Sequence, residues 1–149
     1  MIQLASVKYL EKILEIEKMV FSHPWSHNQL KTDILSKDNV ENWVYLDKGK
    51  VVGYILGKII INEFHLNNIA VHKDFQSRHI GRSMVEHIFN RFQKNNININ
   101  NVYLEVSIKN DLAQKLYKSL GFQKYGFRKD YYAIGDHALL YNLELNANG

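Results

Sequence analysis

Residues 67–83 read NNIAVHKDFQSRHIGRS, and this stretch predicts a strand, a turn and the start of a helix, in that order. Ile69 and Val71 alternate with Asn68 and Ala70, which is typical of a largely buried strand. Beyond Gly81 the apolar residues recur at the spacing of one helix face, at Met84, Val85, Ile88, Phe89 and Phe92. We therefore expect a strand over 66–71 and a helix over about 81–94.

The turn between this strand and helix has two possible interpretations. The amides at a helix N-terminus lack helical partners, and together with the helix dipole they suit an anion such as a pyrophosphate. Arg78 and Arg82 add positive charge beside it. The alternative is an ordinary connection with an exposed basic turn. The turn matches neither the P-loop of nucleotide triphosphatases nor the three-glycine fingerprint of dinucleotide-dependent dehydrogenases, which disfavours both classes.

Length and composition limit the remaining possibilities. The chain has 149 residues, 46% of them hydrophobic, which predicts one domain over 1–149 with one real core. The absence of cysteine excludes disulfides, thiolate zinc sites and a cysteine nucleophile. A net charge of +4 suits either nucleic acid or a polyanionic cofactor. Because the basic residues are scattered, we expect no direct nucleic-acid role.

Other features concern location and metal binding. We find no signal peptide and no apolar run of about 20 residues, so we expect a cytoplasmic protein without a membrane role. His23 and His27 are four residues apart, but Pro24 and a helix start at Ser26 keep them off one helix face. We therefore expect no metal site. Residues 146–149 are predicted to form a frayed tail.

The order of elements predicts an α/β (α+β) fold. A short strand over 2–5 precedes a first helix with Ser6 as its N-cap. Ser26 and Gln29 form a capping box for a second helix, with Leu30, Ile34 and Leu35 facing inward. Strands over 40–46 and 50–61 flank a hairpin turn at 47–49, and the strand over 66–71 follows. Short turns make these neighbours antiparallel, whereas the helix crossover to a strand over 101–106 predicts a parallel pair.

The loop over 21–26, which reads FSHPWS, connects the first two helices and holds the only proline. Its two aromatic residues could anchor the core of a tight helix connection. Alternatively, the loop could form a wall of a substrate groove, since loops often carry recognition. The sequence alone leaves both interpretations open.

The second half of the chain adds a carboxylate and a capped helix. Glu105 lies within the strand sequence YLEV and points to the face opposite Leu104 and Val106. It could reach solvent at a strand end, or it could face a cofactor cleft. Asn110 is the predicted N-cap of a helix that carries Tyr117 and that Gly121 ends.

These motifs resemble those of the GNAT superfamily of N-acetyltransferases. Gln76, Gly81 and Ser83 fit motif A, Q/R-x-x-G-x-G/A, although His79 stands where its first glycine is usual. The run from Asn110 to Phe122 resembles motif B, N-x-x-A-x-x-L-Y-x-x-x-G-F. The resemblance covers nearly the whole chain and implies a GNAT fold: a mixed, mostly antiparallel twisted sheet of six to seven strands with about four helices.

The resemblance also implies a reaction and a set of site residues. It implies that acetyl-CoA is the cosubstrate, with Glu105 as general base and Tyr117 as general acid. The residues implied to bind acetyl-CoA are Ile69, Ala70, Val71, Gln76, Ser77, Arg78, His79, Ile80, Gly81, Arg82, Ser83, Asn110 and Tyr117. Trp25, Tyr131 and Tyr132 are expected to line the acceptor groove.

Within the superfamily, the chain resembles the bacterial ribosomal-protein-alanine N-acetyltransferases most. The late Arg128-x-x-Tyr131-Tyr132 pattern supports this resemblance, whereas the run 135–138 departs from it. The implied partner is the N-terminus of an acceptor protein, such as a ribosomal protein, and the implied state is a monomer or weak dimer. The alternatives are acetylation of a lysine side chain, a polyamine or another small amine, and a non-catalytic module that binds acyl-CoA.

Overall fold

The computed structural model describes residues 1–145 and contains a seven-stranded sheet with four α-helices. The strands are β1 (Ile2–Leu4), β2 (Val40–Asp47), β3 (Lys50–Ile60), β4 (Glu63–Val71), β5 (Asn101–Ser107), β6 (Gln123–Ala133) and β7 (Asp136–Glu144). The helices are α1 (Leu10–Val20), α2 (His27–Leu35), α3 (Ile80–Lys94) and α4 (Asp111–Ser119). The tail predicted over 146–149 lies outside the described residues.

The strand order in the sheet is β1-β2-β3-β4-β5-β7-β6. The β4–β5 pair is parallel, and every other neighbouring pair is antiparallel. The parallel pair is the one that α3 connects, because a parallel connection needs a long crossover. The predicted fold class, a mixed and mostly antiparallel sheet with about four helices, is confirmed.

Local turn chemistry produces the first hairpin. Lys48 and Gly49 both have positive φ, 51° and 79°, between β2 and β3. This backbone matches the right-handed twist of the two flanking strands. The capping box at the start of α2 also forms as expected, since the Ser26 and Gln29 side chains each accept the other residue's amide.

The two faces of the sheet are covered by different helices. One buried cluster joins α3 and α4 to the sheet and contains Met84, Ile88 and Tyr117. A second cluster joins α1 and α2 to the sheet and contains Ile13 and Leu30. Within residues 1–145, no helix is both long and apolar enough to cross a membrane.

Two details of the predicted helices are wrong. Leu35 is 51% exposed rather than inward-facing; it is the last residue of α2, and its neighbour Ile34 is the buried one. Ser6 makes no side-chain capping bond, and a 3-10 turn over Val7–Tyr9 separates it from α1.

Candidate active site

A cleft forms where β4 and β5 separate. Their pairing runs from Glu63 opposite Asn101 to Leu66 opposite Leu104, and no later pair is formed within the described residues. The His72 amide donates to Val52 O on β3 at 2.8 Å. Because successive amides of a strand point to opposite edges, those of Val71 and Ile69 point away from β3. They therefore face the gap that β5 leaves open.

The first part of the cleft is an apolar groove of about 440 Å³ between β4, α3 and α4. Its lining includes most of the predicted acetyl-CoA residues, namely Ile69, Ala70, Val71, Gln76, Ser77, His79, Ile80, Gly81, Arg82, Asn110 and Tyr117. A Cβ at Gly81 would lie 3.1 Å from a methyl group of Leu116 on α4. Glycine at this position therefore allows α3 and α4 to approach closely at the groove.

The turn before α3 has an unusual backbone. Ser77 and His79 have positive φ, 64° and 63°, and His79 is in the left-handed helical region. A residue with a Cβ adopts this region at some energetic cost, although His tolerates it better than most. Among the described residues, the amides of 80–82 make no backbone hydrogen bond, and the first helical bond is from the Ser83 amide to His79 O. The turn therefore offers unpaired donors at the positive end of α3.

Several polar side chains of this turn hold the turn itself. The Gln76 amide group donates to Val71 O at 3.0 Å, and the Ser83 hydroxyl donates to His79 O at 2.8 Å. Arg82 donates to the Ser119 hydroxyl on α4 at 3.1 Å. The Arg78 guanidinium stacks over the Phe75 ring, with 5.0 Å to its centroid. Of the predicted residues, Arg78 and Ser83 are not part of the groove lining in the described structure.

The second part of the cleft is polar, with a volume of about 250 Å³. Tyr117 lines both parts of the cleft. Glu105, Trp25 and Tyr132 line the polar part and do not line the apolar groove. Tyr117 is buried, and burial is the largest cause that raises its pKa above the ordinary value of 10, followed by the nearby Tyr132. Its hydroxyl therefore stays protonated at neutral pH.

Glu105 lies on the exposed face of β5, as its alternation with Leu104 and Val106 predicts. The Arg128 Nη1 lies 3.6 Å from its Oε1. The charge of Glu105 and a hydrogen bond to it raise the pKa of Tyr131. Glu105 is therefore an exposed carboxylate between a guanidinium and a phenol, at the edge of the cleft.

The predicted acceptor residues are divided between the polar cleft and a wider groove outside it. Trp25 and Tyr132 line both, whereas Tyr131 lines only the outer groove, which has a volume of about 620 Å³. Burial and then the charge of Glu105 raise the pKa of Tyr132 to about 12. The loop over 21–26 thus contributes to a groove wall through Trp25, while Phe21 packs against the core that contains α1 and α2.

The sequence analysis missed Glu17, which is buried in the polar cleft. Its carboxylate accepts hydrogen bonds from the Tyr54 hydroxyl, the Asn68 side chain and the Trp25 amide. Burial is the largest cause that raises its pKa, and these hydrogen bonds lower it. Glu17 falls on the apolar stripe of α1 with Leu10 and Ile13, and that position signals an inward-facing carboxylate.

Asp136 at the start of β7 is a second missed residue. It is buried, its Oδ1 accepts a hydrogen bond from the Ser107 hydroxyl, and its Oδ2 lies 3.8 Å from His23 Nε2. This contact links the loop over 21–26 to the β6–β7 hairpin.

His27, by contrast, pairs with Glu11 at 3.3 Å. The part of the chain that the structure describes contains no group of three or more His, Cys, Asp or Glu side chains arranged to hold a metal ion.

Comparison with known proteins gives a family match. Residues 10–122 match the family model described as acetyltransferase (GNAT) family. The chain is 30% identical over 121 residues to the ribosomal protein bS18-alanine N-acetyltransferase of Escherichia coli strain K12. The aligned residues cover 81% of this chain and 79% of the relative.

Solved structures agree with this match. The crystal structure of the ribosomal-protein-S18-alanine N-acetyltransferase from Escherichia coli superposes with a TM-score of 0.88 and 26% identity, covering 100% of this chain and 96% of that one. Arabidopsis thaliana NAA60 in complex with acetyl-CoA has the same fold, with a TM-score of 0.85 at 15% identity, covering 99% of each chain.

Proposed function

Because the chain belongs to the GNAT acetyltransferase family and is an acetyl-CoA-dependent N-acetyltransferase, we propose that its acceptor is the N-terminal α-amino group of a protein. The observation that carries this proposal is the outer groove of about 620 Å³, which continues from the polar cleft onto the surface of the sheet. A small amine needs an enclosed pocket, whereas a polypeptide N-terminus needs an open path for the rest of the chain. The similarity to a ribosomal-protein-alanine acetyltransferase supports a ribosomal protein as the acceptor.

In this proposal, the amine attacks the thioester directly in a ternary complex. The nitrogen forms a bond to the acetyl carbon, a tetrahedral intermediate collapses, and the bond from carbon to sulfur breaks. The amine proton passes to Glu105, directly or through a water, and the departing thiolate takes a proton from Tyr117. An α-amine has a reference pKa of about 8, so roughly a fifth is already neutral near pH 7.4 and a modest base is sufficient.

Acetyl-CoA would bind in the apolar groove mainly through backbone groups. The outward amides of Ile69 and Val71 are suited to strand-like hydrogen bonds with the pantetheine arm, and one of them could polarise the thioester carbonyl. The unpaired amides of 80–82 are suited to the pyrophosphate. Support for a backbone role comes from Gln76 and Ser83, whose side chains are already engaged within the turn.

A peptide panel tests the nature of the acceptor. Each peptide would be offered with a free or an acetylated N-terminus, with or without an internal lysine, and spermidine would represent small amines. We expect acetylation only of free N-termini, located by mass spectrometry and accompanied by release of the coenzyme thiol. Equal rates with spermidine or with an N-terminally blocked lysine peptide would contradict the proposal. Binding of acetyl-CoA without turnover of any acceptor would identify a non-catalytic module instead.

To identify the natural acceptor, protein N-termini from cells with and without the enzyme can be compared by mass spectrometry. We expect the loss of acetylation at the N-terminus of one or a few ribosomal proteins. A complete ribosomal proteome without any change would contradict the ribosomal assignment while leaving the peptide result intact.

A further inference from the structure

The cluster that joins α1 and α2 to the sheet includes strand residues of β2, β3 and β4 only. Among residues 1–145, no helix covers the same face of the sheet beyond the active site. Along β4 the buried residues Phe64 and Leu66 face the α3 side, while Glu63 and His65 face the other side. Along β5, Tyr103 likewise alternates with buried neighbours. In the part of the chain that the structure describes, the lining of the outer groove on this face comes from strands and loops only. This surface is therefore open to a ligand.

Three rings form a continuous row across the groove. The His65 and Tyr103 rings stack with 5.5 Å between centroids, and Tyr103 meets Tyr125 of β6 edge-on at 5.9 Å. Tyr125 is 57% exposed. We refer to His65, Tyr103 and Tyr125 as the aromatic row. The face of a tyrosine ring binds both apolar groups and cations.

Carboxylates lie on both sides of the aromatic row in the strand direction, one toward the active site and one at the remote end of the groove. Glu63 Oε1 lies 3.2 Å from His65 Nε2 at the end remote from the active site. Glu105 lies at the near end, where Arg128 already partners it. Burial, Tyr103, Glu105 and Glu63 together raise the pKa of Tyr125, so its hydroxyl lies in the field of both carboxylates. The remote end thus combines an aromatic ring with a carboxylate that has no Lys or Arg partner among the described residues.

The groove is continuous with the polar cleft, because Trp25, Glu105 and Tyr132 line both. Distances along the strands follow from the register. Tyr103 precedes Glu105 by two residues, about 7 Å, and Glu63 lies opposite Asn101, about 13 Å away at ~3.3 Å per residue. An extended acceptor rises by the same amount per residue. Its third residue would therefore reach the aromatic row and its fifth would reach Glu63.

From this geometry we propose that the aromatic row and Glu63 form a second binding site for the acceptor chain, which prefers a basic side chain near the fifth position. This inference rests on the proposed acetylation of protein N-termini. The charge pattern favours a cation there, because an arginine can lie over Tyr125 and pair with Glu63. An acidic side chain would be repelled by Glu63 and Glu105.

The test compares kcat/KM for free N-terminal hexapeptides Ala-Gly-Gly-Gly-X-Gly, with X as arginine, glutamine or glutamate. Arginine avoids a second acceptor amine. We expect arginine to exceed glutamine by about fivefold, mainly through KM, and glutamate to fall below glutamine. The ratio of kcat/KM for the arginine peptide to that for the glutamine peptide should fall to about one in Glu63→Gln and in Tyr125→Ala. Glu15→Gln, which removes an exposed carboxylate on α1, is the matched control and should keep the preference.

The outcomes separate the two proposals. If the wild type acetylates all three peptides equally, or if the arginine preference survives in both groove variants, the second site is wrong and N-terminal acetylation stands. If no peptide with a free N-terminus is acetylated, both proposals fall. The same three substitutions at the third or fourth position of the peptide test the path. An arginine preference that is larger there and still depends on Glu63 would overturn the proposed extended path along the strands.

Discussion

At the scale of single residues, Glu105 is the proposed base because it is the carboxylate at the junction of the polar cleft and the outer groove. We expect Glu105→Gln to lower kcat and kcat/KM together, by about 10²-fold, since general-base catalysis typically contributes that much or more. Acetyl-CoA binding should be unchanged, because Glu105 does not line the apolar groove. Steady-state kinetics and a calorimetric titration would measure both effects. Glu15→Gln is the control, and wild-type turnover in Glu105→Gln would refute the assignment.

Tyr117 carries the proposed acid role through a hydroxyl that burial keeps protonated. We expect Tyr117→Phe to lower kcat by about 10²-fold with little loss of stability, because the ring stays in place. Tyr141→Phe is the matched control, since Tyr141 is buried in the same cluster with 6.4 Å between the two ring centroids. A similar, small loss in both variants would indicate that Tyr117 acts only in packing.

The site residues differ in how far the sequence could predict them. Glu105 and Tyr117 belong to local motifs, so pattern and resemblance together located them. Glu17 and Asp136 belong to no such motif, and their partners Asn68 and Ser107 are 51 and 29 residues away in sequence. A buried carboxylate is stable only where donors converge on it, and that convergence is a property of the folded chain.

At the scale of elements, alternation and turn residues predicted most of the strands, including β2 and β3 of the first hairpin. The separation of β4 from β5 was not predictable in this way, because it depends on how far two strands distant in sequence remain paired. The orientation of Leu35 was also misjudged, because it follows the apolar spacing of Leu30 and Ile34 but is exposed as the last residue of α2. Local pattern thus predicts which elements form, and tertiary packing decides where pairing stops.

The turn between β3 and β4 offers a stability prediction. Ile61 has φ of 58° and is 92% exposed, and a β-branched residue is strongly disfavoured in this region. We expect Ile61→Asn to raise the free energy of unfolding by about 1 kcal/mol, because asparagine tolerates this backbone. Urea denaturation would measure it.

Ile134 is a matched control for this substitution. It is 94% exposed in the β6–β7 turn, and it is not among the described residues with positive φ. Ile134→Asn should therefore change the free energy of unfolding by less than about 0.5 kcal/mol. An equal gain in both variants would mean that removing an exposed apolar side chain, rather than relieving the backbone, causes the effect.

At the scale of the whole molecule, the sheet is in effect divided at its parallel pair. The strands β1 to β4 precede α3 and the turn that begins it, while β5 to β7 carry Glu105 and the tyrosines of the outer groove. The cleft lies where these halves separate, with α3 and α4 meeting beside it. The proposed donor and acceptor sites therefore lie on opposite sides of one gap, as a ternary complex requires.

The overall stability of the molecule should depend on pH through His87 of α3. Its Nε2 is buried without a hydrogen-bond partner among the described residues, and its ring packs edge-on against Trp43 at 4.5 Å. Burial and then the nearby Arg91 lower its pKa below 6.5, while Glu41 opposes them. The unfolded chain thus binds this proton at higher pH than the folded chain does. Stability should fall as pH drops below about 6.5.

The comparison of wild type with His87→Leu isolates this effect. Glu17 has a raised pKa and acts in the opposite direction, reducing stability as pH rises above about 4.5, but it is present in both proteins and cancels. We expect the difference in the free energy of unfolding between the two proteins to be constant from pH 7 to 8 and to move in favour of His87→Leu between pH 6.5 and 5. Urea denaturation across this range measures it. A difference that stays constant down to pH 5 would show that His87 is protonated equally in the folded and unfolded chains.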